Sequence, residues 1–216
     1  MSASEAIPWL TSTRHWSYAL VTAPTEEPMT LAMAKKHARI DIDDENDLVD
    51  SWVRAARQQV EQDTGLKLLT QTWDLALDSF PYTDEPIRIQ TGPVQSVSFL
   101  KYYDFSGTLQ TWPTSNYTVD TSSVPARLGL TYGGIWPTNL RRFQPGLIEF
   151  VAGWASPALV PDALIRAMAL WVGWFSEHRE HEMITPGRTG SAGTPSLIER
   201  SAYDALIAPY VMYVAA

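Results

Sequence analysis

The chain has 216 residues, of which 45% are hydrophobic and 19% charged; its net charge is −8 and it contains no cysteine. This composition excludes a disordered chain and a disulfide scaffold, and the acidic balance gives no global electrostatic reason to bind nucleic acid. No stretch approaches a transmembrane span, and the first residues, MSASEAIPWLTSTRHW, lack the basic-then-apolar order of a signal peptide, so synthesis in the cytoplasm is expected.

Residues 1–28 read as an arm. Pro8, Pro24 and Pro28 disfavour regular structure, while Trp9, Leu10, Trp16, Tyr18 and Leu20 are too apolar for a free tail. Two readings stay open: an arm folded back on its own domain, or one reaching a neighbouring subunit. Two helices follow in 29–65. Thr30 suits an N-cap, and Leu31, Ala34, Ala38 and Ile40 recur near helical spacing. The acidic run Asp41–Asp47 then opens a second helix at the end its dipole favours. Its stripe is Leu48, Val49, Trp52, Val53, Ala56 and Val60, with Arg54, Arg57, Gln58, Glu61 and Gln62 on the other face and Gly65 as terminator.

After Gly65 the apolar period changes from 3.6 to 2. Trp73, Leu75 and Leu77 alternate with Asp74, Ala76 and Asp78, as in a half-buried strand. Val97, Phe99 and Tyr103 share one face of a later strand. Asp104–Gly107 is a turn signal, so Ser96–Tyr103 and Thr108–Trp112 should form a hairpin. Tyr117–Asp120, Ala126–Leu130 and Leu147–Ala152 bring the expected total to five to seven strands.

A long helix begins at Pro161 or Asp162. Leu164, Met168, Trp171 and Phe175 make one stripe, and Ala167, Leu170 and Trp174 make another beside it. A helix apolar over so much of its girth needs cover on more than one face. Leu164, Met168, Trp171, Trp174 and Phe175 are therefore the candidate subunit interface. Pro186–Gly193 has linker composition, Ser196 can cap a short helix over Leu197–Ala208, and Tyr210–Val214 is an apolar, strand-prone end. Leu206, Ile207, Tyr210, Met212 and Tyr213 are the candidate docking residues, since a greasy end behind a loose tether seeks a partner.

The pattern is α+β: a helical body, 29–69 and 156–182, is split by a β-rich insertion, 70–155. It is preceded by the arm, 1–28, and followed by a linker and C-terminal docking segment, 183–216. Nothing in it argues for catalysis. Asp41, Asp43, Glu45 and Asp47 alternate like an EF-hand loop, but Asn46 and Trp52 stand where Gly and the bidentate Glu belong. His178 and His181 are three apart, not the four of HExxH. No nucleophile elbow is present, so no catalytic residue, metal or cofactor is assigned. Lys35-Lys36 with Arg39, and Arg141-Arg142, are small basic spots: solvated faces, or contacts to an acidic surface.

The order of these features resembles the head–tail connector (adaptor) proteins of long-tailed phages, prophages and gene transfer agents. The likeness is carried by Thr30-Leu31 with Ala34-Lys35, Arg39-Ile40-Asp41, Asp44-Glu45, Thr64-Gly65 and Gln71-Thr72-Trp73. It continues through Pro125-Ala126-Arg127, Val151-Ala152-Gly153 and the Pro161 helix with Trp174, covering Tyr18 to about Glu182. The resemblance implies a non-enzymatic virion protein of the neck. It would form a homo-oligomeric ring, commonly of twelve subunits, beneath the portal protein. It would join the portal to a stopper or tail-completion protein and continue the channel for double-stranded DNA without binding it specifically. The C-terminal segment, Ser196–Ala216, would engage the portal. A small carbohydrate- or protein-binding module, or a metal-dependent hydrolase using the histidines, are the alternatives from other classes.

Overall fold

The computed structural model describes residues 16–41, 43–178 and 197–212. These hold eight strands and four α-helices in two units, one of residues 16–23 with Gln71–Ala152, the other of Pro24–Thr70 with Gly153–Met212. The protein is mixed α and β with two antiparallel sheets, in keeping with the α+β expectation.

The first unit is all β. Its strands are β1 (Trp16–Thr22), β2 (Gln71–Leu77), β3 (Ile87–Ile89), β4 (Val94–Tyr103), β5 (Leu109–Trp112), β6 (Tyr117–Asp120), β7 (Ala126–Leu130) and β8 (Gly146–Ala152). One sheet has the order β1-β2-β8-β4-β5 and the other β3-β7-β6. Leu75, Leu77, Leu100, Ile148 and Phe150 of the larger sheet share one buried core with Ile87, Ile89 and Leu128 of the smaller. The alternation read in β2 holds: Leu75 and Leu77 are fully buried and Asp74 and Ala76 face the other way.

Two expectations change here. Trp16–Thr22 is not irregular arm but the edge strand β1, paired with β2 from Trp16↔Leu77 to Thr22↔Thr72. Pro8 and Pro24 bracket this stretch without interrupting it, and Trp16, Tyr18 and Leu20 alternate with Ser17 and Ala19 as a half-buried strand requires. The Tyr18 ring meets Phe150 edge-on at 6.2 Å, and its oxygen accepts the Gln90 N–H at 2.9 Å. In β4 the register against β8 slips between Val97 and Phe99. This bulge turns Leu100 into the core and leaves Phe99 on the other face under the Lys101 ammonium. The predicted hairpin is present as β4 and β5, with Tyr103 opposite Leu109.

The second unit packs α1 (Leu31–Ala38), α2 (Asn46–Thr64), α3 (Asp162–Glu177) and α4 (Leu197–Ile207) around a core of its own. The Thr30 hydroxyl accepts the Met33 N–H and caps α1, as its sequence position implies. Gly65 ends α2 at φ 74, its N–H bonded to the Glu61 carbonyl. Val49, Trp52, Val53, Ala56 and Val60 are buried, whereas Leu48, counted in the same stripe, is exposed.

Candidate interaction surfaces

The helical unit contains a buried ion network. Arg57 Nε donates to Glu27 at 2.8 Å and Arg57 Nη1 to Glu61 at 3.2 Å, while Glu61 Oε1 accepts the Leu68 N–H at 2.9 Å. Arg57 and Glu61 thus lie inside rather than on the solvent face where helical spacing alone puts them. Burial is tolerated because each charge has hydrogen-bonded partners. Burial raises the Glu27 pKa, opposed by Arg57. The basic spots are also employed locally. Lys35 donates to Asp43 at 2.8 Å and Asn46 at 2.9 Å, and the Arg141 guanidinium lies 3.5 Å over the Tyr103 ring. Asp43 is held below the usual carboxylate range by its bond to Lys35. No side chain of the acidic run caps α2.

Of the five candidate interface residues on α3, Leu164 and Met168 are fully buried in the unit's own core and have no surface to offer a neighbour. Trp171, Trp174 and Phe175 are half-buried and mutually packed, with ring centroids 5.5–5.8 Å apart. His178 stacks on Trp174 at 4.7 Å, and its N–H meets the Trp174 carbonyl. His181 lies outside the described residues, and among those described no cluster of His, Asp or Glu could hold a metal.

The docking candidates on and after α4 are also engaged at home. Tyr203 and Ile207 are buried in the helical core, and Leu206, Tyr210 and Met212 pack against it. The Tyr203 hydroxyl donates to Asp63 at 2.7 Å, and the Met212 N–H donates to the Thr64 carbonyl at 2.8 Å. Burial, and then the hydrogen bond to Asp63, push the Tyr203 pKa well above its ordinary value. The expectation that a loose tether keeps these residues out of their own body is therefore corrected. Tether flexibility costs little entropy once several large side chains are buried together. Tyr213 lies outside the described residues. A cavity of about 340 Å³ opens between α2, α3 and α4, lined by Gln59, Asp63, Trp171, Trp174, Tyr203 and Asp204 among others.

In the β unit, three connections emerge at one end of the sheets: 78–86, 104–108 and 131–145. The register places Leu77, Gly146, Tyr102 and Leu109 together there, and Gln71, Ala152 and Val94 at the other end. Trp136 Nε1 donates to the Thr83 carbonyl at 3.1 Å, and the Phe80 and Trp136 rings pack 5.7 Å apart. Asp104 accepts from Ser106 and Thr108 to close the hairpin turn, and it bridges to Leu140. Around this frame Tyr82 and Tyr132 are wholly exposed, Phe105 is 77% exposed, and Ile135 and Phe143 are 74% exposed each. Sequence reading saw here only Gly- and Pro-broken loops. The signal available to it was the frequency of large apolar residues at turn positions.

The family model described as "Phage gp6-like head-tail connector protein" matches residues 28–126. No curated protein matches the chain. Among solved structures, a chain of the "Virion of native gene transfer agent (GTA) particle" is similar at 20% identity and TM-score 0.70, over 92% of this chain and 97% of that one. A chain of the "Neck of empty GTA particle computed with C6 symmetry" is similar at 21% identity and TM-score 0.70, over 93% and 97%. One of the "Neck of native GTA particle computed with C12 symmetry" gives 21% identity and TM-score 0.67 over the same shares. These chains share the fold over nearly their whole length. The resemblance read from the order of the motifs is thereby borne out: over residues 28–126 this chain carries the sequence pattern of the phage head–tail connector family.

Proposed function

We propose that the protein is a structural head–tail adaptor of a tailed phage or a gene transfer agent. It sits in the neck of the virion as a homo-oligomeric ring beneath the portal protein. The observation that carries this reading is the connector match over residues 28–126 together with a fold shared, over more than nine-tenths of the chain, with chains of gene transfer agent particles. The C12 symmetry of one of those necks favours twelve subunits.

In the ring, Trp171, Trp174 and Phe175 are the part of α3 left for a neighbouring subunit, since Leu164 and Met168 are already covered. The segment after Pro195 engages the portal through Leu206, Tyr210 and the end of the chain, with Ile207 holding α4 to its own unit. On the other side the ring receives a stopper or tail-completion protein. A net charge of −8 suits a channel through which DNA slides, because a lysine- and arginine-lined bore would hold each phosphate by counterion release.

The test is reconstitution. Purified protein added to DNA-filled heads lacking it should bind as a ring and permit tail attachment. Heads that take tails equally well without it would overturn the reading.

A further inference from the structure

We infer that the loop end of the β unit is the surface on which the tail-side neck protein docks. This rests on the adaptor reading above and goes beyond it by assigning the second partner to a place. Tyr82, Phe105, Tyr132, Ile135 and Phe143 stand in water on connections 78–86, 104–108 and 131–145, which converge at one end of the sheets. An aromatic side chain offers ~150–250 Å², so five such groups present on the order of 800 Å². That exceeds the largest apolar patch of a typical monomer and equals one side of a standard protein interface. The loops are held in place, not loose. Trp136 is bonded to Thr83, Asp104 is bridged to Leu140, and Arg141 donates twice to the Gln144 carbonyl while lying over Tyr103.

The choice of occupant follows from what the chain offers in return. The other exposed large apolar side chains outside this end, among the described residues, are Leu20, Val21, Met33, Leu48, Val124 and Leu159. They are single or paired along the chain, and each is about half covered. A ring needs a patch on one subunit that fits a different patch on the next, and nothing described matches the loop end in size. Patch against identical patch would make a two-fold pair instead of a ring. The loop end is thus left over for a different protein. In a chain whose helical unit is assigned to the portal, that protein lies on the tail side. Its chemistry is an apolar, weakly charged surface with recesses for aromatic rings, and a ring would present the patch many times over.

The experiment uses a quadruple variant, Tyr82→Ser, Tyr132→Ser, Ile135→Ser and Phe143→Ser, and separately Phe143→Asp. Both alter exposed tips, so both should melt with the parent protein. The probes are DNA-filled tailless heads and free tails of the particle that encodes the chain. Both variants should bind heads in parental amounts, and the heads they occupy should take tails at least tenfold less often. Variants that no longer bind heads would place the patch at the portal or between subunits and overturn the inference. Parental tail attachment would overturn it as well. If the parent protein itself joins nothing, the adaptor reading fails and this inference falls with it.

Discussion

A β-carbon placed on Gly153 would lie 2.0 Å from the carbonyl oxygen of Leu69, so the two backbones touch where only a glycine fits. Gly153 also sits at φ 109, outside the range of other residues. Strain and clash act together. Gly153→Ala should therefore destabilise the protein by about 3 kcal/mol or more, measured by urea denaturation. A loss below about 0.5 kcal/mol would show that the backbone there yields easily.

Arg57 is the only cation bonded to Glu27 and Glu61 in the described network. Arg57→Ala leaves two carboxylates inside with their counter-charge gone, which should cost about 3–5 kcal/mol at neutral pH. The cost should shrink on acidification, because Glu27 already has a raised pKa and takes up a proton readily once Arg57 no longer opposes it. Denaturation midpoints at pH 7 and pH 5 decide this: an equal loss at both would contradict it.

Asp74 stands directly across the ladder from Glu149 on the outer face of the larger sheet. Burial raises its pKa, Glu149 raises it further, and Lys101 opposes them. A carboxyl whose folded pKa lies above its unfolded one lowers stability at high pH. That penalty fades as pH falls through the folded pKa and vanishes below the unfolded pKa. Asp74→Asn should accordingly stabilise the protein by up to about 1 kcal/mol at pH 7, with no gain at pH 3. A destabilised variant at pH 7 would mean that the carboxylate has a stronger partner than Glu149 is an opponent.

Truncation after Pro195 should weaken the helical unit as well as any docking. Tyr203 and Ile207 leave its core with α4, and each large buried side chain contributes roughly 1.5–3 kcal/mol. The melting temperature should fall by several degrees. An unchanged melting temperature would show that α4 rests on the unit without supporting it. Leu206→Ser and Tyr210→Ser are the gentler probes of portal binding, since both side chains are only partly buried.

What the sequence made legible was local. Thr30, Gly65, the Asp104–Gly107 turn and the stripe of α2 are each fixed by residues within a turn or two, and all take the form their spacing implies. What it concealed was pairing across distance. Trp16–Thr22 became a strand because β2, some fifty residues on, supplies its ladder. Arg57 and Glu61 read as solvent-facing because Glu27, 30 residues upstream of Arg57, is invisible to helical periodicity. The faces of Phe99 and Leu100 were exchanged by a bulge that period-2 counting cannot register. For the interaction surfaces, the girth of α3 correctly marked excess apolar area. It could not say that α4 of the same chain takes up part of it.

The hydrogen-bonded pair Gln71↔Ala152 sets an order of events for the newborn chain. The helical unit draws α1 and α2 from before the β unit and α3 from after it. Closing a loop of roughly 80 residues costs on the order of 4 kcal/mol of chain entropy, nearly all of it before any helix contact is gained. A β unit that folds first meets that cost within its own ladder and delivers Thr70 and Gly153 side by side. The helices then dock across a gap of a few residues, so the slow step of folding belongs to the sheets, and a stalled ribosome that exposes the chain only to Ala152 should already carry a folded domain.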